Sequence, residues 1–179
     1  FIYGTIYSFS VSNWHETVHK TAFKTRWINE IFYHISSFMA DFEGFRWRWS
    51  HTFHHSYTLQ TKDDYDHEIQ ISRPTDLIAF FLNFIPFSDL LFLHRLIKYE
   101  VIKHAFGYFS PVVKISAPAK QKKKILWNSR LYLFIWISII ILSVYFETFL
   151  LILYFILPTY YGKPLWFLVN VTQHLGAAI

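Results

Sequence analysis

From Leu131 to Tyr161 the sequence carries one charged side chain, Glu147. Hydrocarbon offers no partner for a free backbone N–H or C=O, so such a stretch crosses a bilayer only as helix. One crossing takes ~20 residues and two take ~40. From Trp127 to Val171 there are 45 positions, with Glu147 near the middle. A hairpin of two short spans over residues 127–169, turning near Glu147, fits that length. It also returns the chain to the side from which it entered. The expected fold is all-α, an integral membrane helical bundle with surface helices beside it.

Composition agrees with a membrane setting. Of the 179 residues 53% are hydrophobic and 22% aromatic, and only 16% are charged, against about a quarter in soluble domains. Mean hydropathy is +0.23. A soluble core of this size could not hide so much apolar surface. The net charge is +5, but the basic residues form no stripe suited to nucleic acid, and none is expected as a partner. Instead Lys120-Gln121-Lys122-Lys123-Lys124 flanks the apolar stretch, which marks the cytoplasmic side. Cysteine is absent, which removes disulfides, iron–sulfur clusters and thiolate-bound haem or zinc.

The chain reads as a single domain over residues 1–179. Residues 1–14 are apolar and aromatic and read as the last turns of a transmembrane helix. A start at Phe1 and an apolar end in Ala177-Ala178-Ile179 read as a piece of a longer protein, truncated at both ends. Apolar residues at 28, 31, 32, 35, 38, 39 and 42 recur with helical period, predicting an interfacial or packed amphipathic helix over 27–42. Arg46-Trp47-Arg48-Trp49 suits the headgroup layer. Residues 61–68 are polar and acidic and read as a solvated loop. Residues 78–97 are apolar but interrupted by Asn83, Pro86, Asp89, His94 and Arg95, which predicts interfacial or re-entrant helices. Residues 110–124 hold two prolines and five lysines and read as an exposed loop.

Histidine is placed with more order than packing requires. His15 and His19 are i and i+4; His51, His54 and His55 are i, i+3 and i+4; Asn170 and His174 are again i and i+4. On helices these spacings put each group on one face, a turn apart. That is how a helix offers several imidazoles to one metal centre. A lone histidine would read as packing; three groups at ligand spacing read as a metal site. Six imidazoles exceed the four ligands of one tetrahedral ion, so two ions are expected, and imidazole alone does not name the metal. His34 lies fifteen positions after His19, ~22 Å along a continuous helix, too far for the same site unless the helix breaks. His67, His94 and His104 are isolated and read as ordinary.

The pattern HxxxH followed by HxxHH resembles the membrane fatty acid desaturase and hydroxylase superfamily. The likeness includes His15-Glu16-x-x-His19 before Thr21-Ala22-Phe23, and His51-x-x-His54-His55 before Thr58 and Asp66-x-Glu68. It extends to Asn170-x-x-x-His174 beyond the last span. The resemblance implies a diiron centre held by His15, His19, His51, His54, His55 and His174, with Asn170 acting through a water. It implies molecular oxygen as co-substrate, a fatty acyl chain as substrate and desaturation as the reaction. Glu16, Asp66 and Glu68 would orient ligand imidazoles, whereas Asp63 and Asp64 read as solvated. The membrane would be a bacterial inner membrane or the endoplasmic reticulum, with the histidines on the cytoplasmic side. No haem or flavin motif is present, so electrons would come from an external donor of ferredoxin or cytochrome b5 type. The family has a further HxxHH box that this sequence does not reach, and the piece by itself is expected to be inactive.

Other readings remain open on the residues. Lipid, alkane or carotenoid hydroxylases of the same superfamily share the boxes. His15-Glu16-Thr17-Val18-His19 also matches HExxH, the helix of zinc proteases. Such a membrane protease would leave the HxxHH group unexplained. A metal transporter would need ionisable residues along its spans, and the long apolar segment has only Glu147.

Overall fold

The computed structural model describes residues 2–57, 78, 81–88, 90, 97–162 and 164. Among them the named elements are all helices, with no strand. They are α1 (Ile2–Ser8), α2 (Ser10–Val18), α3 (Arg26–Met39), α4 (Gly44–Ser56), α5 (Ile97–Ala105), α6 (Pro111–Ser116), α7 (Ala119–Tyr145) and α8 (Leu150–Phe155). The all-α class is thus observed. Most of residues 58–96 and the segment beyond 164 lie outside the described residues, including most of the interrupted 78–97 stretch.

Helix α7 has 27 residues, about 40 Å at 1.5 Å per residue, enough to cross ~30 Å of hydrocarbon. Its most apolar window has a mean hydropathy of 1.8 and is only 22% buried. Among the described residues no other helix is long and apolar enough to span. Residues 110–124 are not a loop: α6 runs from Pro111, and the lysine block forms the first turns of α7. Proline there marks a helix start, since its missing N–H is one the first turn leaves free anyway. Lysine is a good helix former. Reading both as loop signals puts the start of the helix too late.

Three helices close alike. In α3, Asp41 N–H donates to Phe38 O at 3.1 Å and Phe42 N–H to Ser37 O at 2.8 Å, with Asp41 at φ 62°. The same paired closure follows α5 at Gly107 (φ 85°) and α7 at Glu147 (φ 50°). It satisfies the last carbonyls with a left-handed residue just past the helix. After Glu147 the chain reverses into α8, which packs back on α7.

Helix α3 buries its polar side. Asn29, Tyr33, Ser36 and Ser37 are buried, while Trp27 (64% exposed), Ile31, Phe32 and Ile35 point outward. An aqueous surface would favour the reverse; an outward apolar face suits lipid contact. The inner packing forms three clusters. Trp14, Tyr33, Ala40 and Phe42 join α2, α3 and the turn before α4. Val101, Tyr132 and Trp136 join α5 to α7. Val113, Ala117 and Ile125 join α6 to α7 beneath Phe45 and Trp49 of α4.

The two arginines of the Arg46–Trp49 motif are paired within the protein. Arg46 is buried and pairs with Glu100 of α5 at 3.1 Å, and its guanidinium donates to Ser50 Oγ at 2.9 Å. Arg48 donates to Glu30 of α3 at 2.8 Å. Buried charge is tolerated only when partnered, and here each partner lies on another helix. Between α3 and α4, the buried Asp41 carboxylate pairs with Lys98 of α5 and accepts from Thr159 Oγ1 at 2.8 Å.

Glu43 caps α4. Its carboxylate accepts from Arg46 N–H at 2.7 Å and Phe45 N–H at 3.3 Å, and Asn128 of α7 donates to it. Burial, partly offset by those donors, pushes the carboxyl up from 4.5 to about 7. The folded state therefore holds this proton more tightly than the unfolded chain between those values, and stability falls as pH rises through that window. Glu43→Gln keeps the acceptor and removes the buried charge. It is expected to melt with the native protein near about pH 5 and above it near about pH 8. Glu43→Ala loses the cap and melts lower than Glu43→Gln at both, by about 1 kcal/mol. Thermal melts in detergent at the two pH values check this.

Candidate metal centre

Three aromatic residues set α2 against α4. Trp14 of α2 is 4% exposed and meets Phe42, Trp47 and His51 edge-on, with ring centroids 5.2, 6.1 and 5.1 Å away. Trp47 stacks on Phe42 at 4.0 Å. On α4 the residues 47, 51 and 55 follow one another at i+4, so fixing Trp47 against Trp14 turns His51 and His55 toward α2 as well. From α2 come His15 and, at its C-terminal cap, His19.

The four imidazoles converge. The ring nitrogens of His15, His19, His51 and His55 lie within 4.8 Å of one another. His51 Nε2 is 3.2 Å from His19 Nε2 and 3.1 Å from His55 Nε2. Two nitrogens bound at ~2.1 Å to one ion, at angles between octahedral and tetrahedral, are about 3.0–3.4 Å apart. The spacing thus fits adjacent corners of one coordination shell. This cluster could hold a metal ion.

The electrostatics favour it. Burial first, and then the neighbouring His51, lower the proton affinity of His15, His19 and His55. They stay neutral at a pH where a free imidazole is partly charged, and neutral imidazole is the form a metal binds. Glu16 stands 3.8 Å from His15 Nδ1 with its side chain 67% exposed. That is an ion-pair distance beyond hydrogen-bond reach.

His54 does not join the four. It is buried, on the stripe that runs through Arg46 and Ser50, with its ring 5.9 Å from that of His51 and 5.7 Å from that of His55. Residues three apart on a helix differ by ~60° in direction, so an i, i+3, i+4 group can serve two sides. Asn170, His174, Asp66 and Glu68 lie outside the described residues. His34 sits against Phe45 and 4.0 Å from Glu30, away from the cluster. His104 is buried in α5, where its Nε2 accepts from Ser110 N–H at 3.1 Å.

Glu30 is a functional candidate that sequence reasoning missed. Its two oxygens receive Lys20 at 3.2 Å and Arg48 at 2.8 Å. Lys20 directly follows His19, and Arg48 precedes His51 by three residues. One carboxylate on α3 therefore links the chain just past α2 to the middle of α4, the two ligand-bearing helices. The only sequence signal was an acid on the polar side of an amphipathic helix, which usually faces solvent.

A protein-family model described as Fatty acid desaturase matches residues 1–178. No curated protein and no solved structure matches the chain.

Proposed function

The chain belongs to the fatty acid desaturase family, and from that premise we propose that it serves an oxygen-dependent diiron oxidoreductase that places a double bond in a fatty acyl chain. The observation that carries this reading is the convergence of His15, His19, His51 and His55. In this reading these four hold one iron. His54, His174 and Asn170, the last through a water, contribute to the remaining coordination.

The chemistry supplied by a bound iron pair with dioxygen is removal of hydrogen from unactivated methylenes, for which no side chain is oxidising enough. The balance is one acyl CH2–CH2, one O2, two electrons and two protons, yielding CH=CH and two waters. An external donor of ferredoxin or cytochrome b5 type supplies the electrons. The protein's own residues provide the setting. His51 forms the buried floor of the cluster, and Trp14, packed with Phe42 and Trp47, backs it with apolar surface. Burial keeps the imidazoles unprotonated, and Glu30 holds their helices in register. The family is membrane-associated, and the lysines at the start of α7 support a cytoplasmic position for the histidines.

The test is the metal content of protein purified from the complete reading frame, with Mössbauer spectra and the acyl products of the expressing cells. About two coupled irons per chain and a new double bond are expected. Two irons with a hydroxylated lipid would move the assignment to a hydroxylase, in which one oxygen atom stays in the product. A single zinc without iron would overturn the reading and leave a zinc hydrolase.

A further inference from the structure

Beside the lysine block the junction of α4 and α7 forms an open groove of about 540 Å³. Lys120, Lys123, Lys124, Trp127, Asn128 and Leu131 line it along α7, and Phe45 closes it from α4. The α7 positions are i, i+3, i+4, i+7, i+8 and i+11, a single stripe of one helix. The order along that stripe is cationic, then aromatic and amide, then apolar. Among the described residues no carboxylate lines the groove. Lys124 reaches over the Phe45 ring, 5.5 Å from its centroid, so its charge stands at the mouth.

Below Leu131 the stripe continues through Phe134, Ile141 and Tyr145, all exposed. From Lys124 to Leu131 the axial rise is about 10 Å, enough to pass through the ~5–8 Å polar layer of one leaflet. Lysines that merely mark the cytoplasmic side need no groove beside them. Here a second helix supplies a wall, and the polar, aromatic and apolar steps match a lipid molecule in sequence and depth. We infer that this junction is a binding site for one anionic phospholipid. Its phosphate is held by Lys120, Lys123 and Lys124, with Trp127 at the glycerol level and an acyl chain running along Leu131 and Phe134. Asn128, in the same wall, also bonds Glu43, the cap of α4. Lipid seated there braces the start of the helix that ends in His51, His54 and His55.

The site is tested on the complete protein in nanodiscs of phosphatidylcholine, with and without phosphatidylglycerol. Lipid retention is read by native mass spectrometry and stability by thermal melts. The native protein is expected to retain phosphatidylglycerol selectively and to melt several degrees higher in its presence. The variant Lys120→Gln/Lys123→Gln/Lys124→Gln is expected to lose that selectivity by on the order of a hundredfold, from three lysines at a lipid surface. Its melting in phosphatidylcholine alone should match the native protein, which shows that it folds. The charge-matched control Lys24→Gln/Lys103→Gln/Lys114→Gln should keep the selectivity. Inorganic phosphate in place of the lipid should give no shift; an equal shift would reduce the site to a phosphate site and overturn the lipid assignment. Undiminished phosphatidylglycerol retention in the first variant, or equal loss in the control, would overturn it too. So would intact lipid selectivity with a raised KM for an acidic electron donor, which would make the lysines a protein-docking surface.

Discussion

His51→Ala in the complete enzyme is expected to lower iron affinity by more than about a hundredfold, beyond the 10–100-fold cost of losing a residue that only supports a ligand. Turnover should fall to background. His51 is singled out because it is the buried member of the four and the one whose Nε2 lies at ligand spacing from two others, His19 and His55. Membrane insertion should survive, since α7 carries the span and His51 makes no part of it. His34→Ala is the matched control and should retain iron and turnover, because its ring rests against Phe45 and Glu30. His54→Ala separates the two sides of α4: it should lose turnover while keeping about one iron in place of two. Iron per chain, membrane flotation and acyl products measure all three. Equal iron loss in the His34 and His51 variants would dissolve the ligand assignment.

Lys98→Met is expected to destabilise the fold by about 3–5 kcal/mol, the cost of leaving a buried charge without its partner. The partner is Asp41, and Thr159 donates to the same oxygen at 2.8 Å. Burial raises the Asp41 carboxyl and lowers the Lys98 ammonium, while each opposes that shift in the other. Lys98 also lies over the Tyr160 ring at 4.7 Å, and methionine keeps most of its stem packing. Asp41→Asn isolates the charge, because asparagine also accepts the left-handed backbone found there at φ 62°. The double variant Asp41→Asn/Lys98→Met should recover most of the loss, since removing both charges together avoids the orphan. Unfolding in detergent, followed by tryptophan fluorescence, measures the cycle. A single Lys98→Met variant as stable as the native protein would show that water reaches Asp41 and that the pair does not tie α5 to the turn before α4.

The places where sequence reading succeeded and failed have a common cause. Helical class and the apolar span depend on short stretches, whose period and hydropathy are written in consecutive residues. Loop signals misled at residues 110–124 because proline and lysine serve loops and helix starts alike, and only neighbouring structure distinguishes the two. Arg alternating with Trp suits a headgroup layer, but that pattern does not say which acids Arg46 and Arg48 meet. Their real partners, Glu100 and Glu30, are distant in sequence and become visible only when α3 and α5 dock on α4. The same applies to Asp41 and Glu43, two acids of one short turn that are buried with partners 57 and 85 residues away.

The sequence by itself determined that the chain is helical, that α7 can cross a membrane, and that its histidines stand at ligand spacing in groups. Helical period is a local property, and those conclusions need nothing else. The tertiary structure alone decided which histidines meet. Spacing treats His51, His54 and His55 as equals; the rotation of α4 about its axis does not. That rotation is set by Trp14, Phe42 and Trp47 packing between helices. It turns His51 and His55 toward His15 and His19 and leaves His54 on the stripe of Arg46 and Ser50. Burial energy spread over such contacts has no period in the sequence, so only the folded chain shows the four imidazoles together.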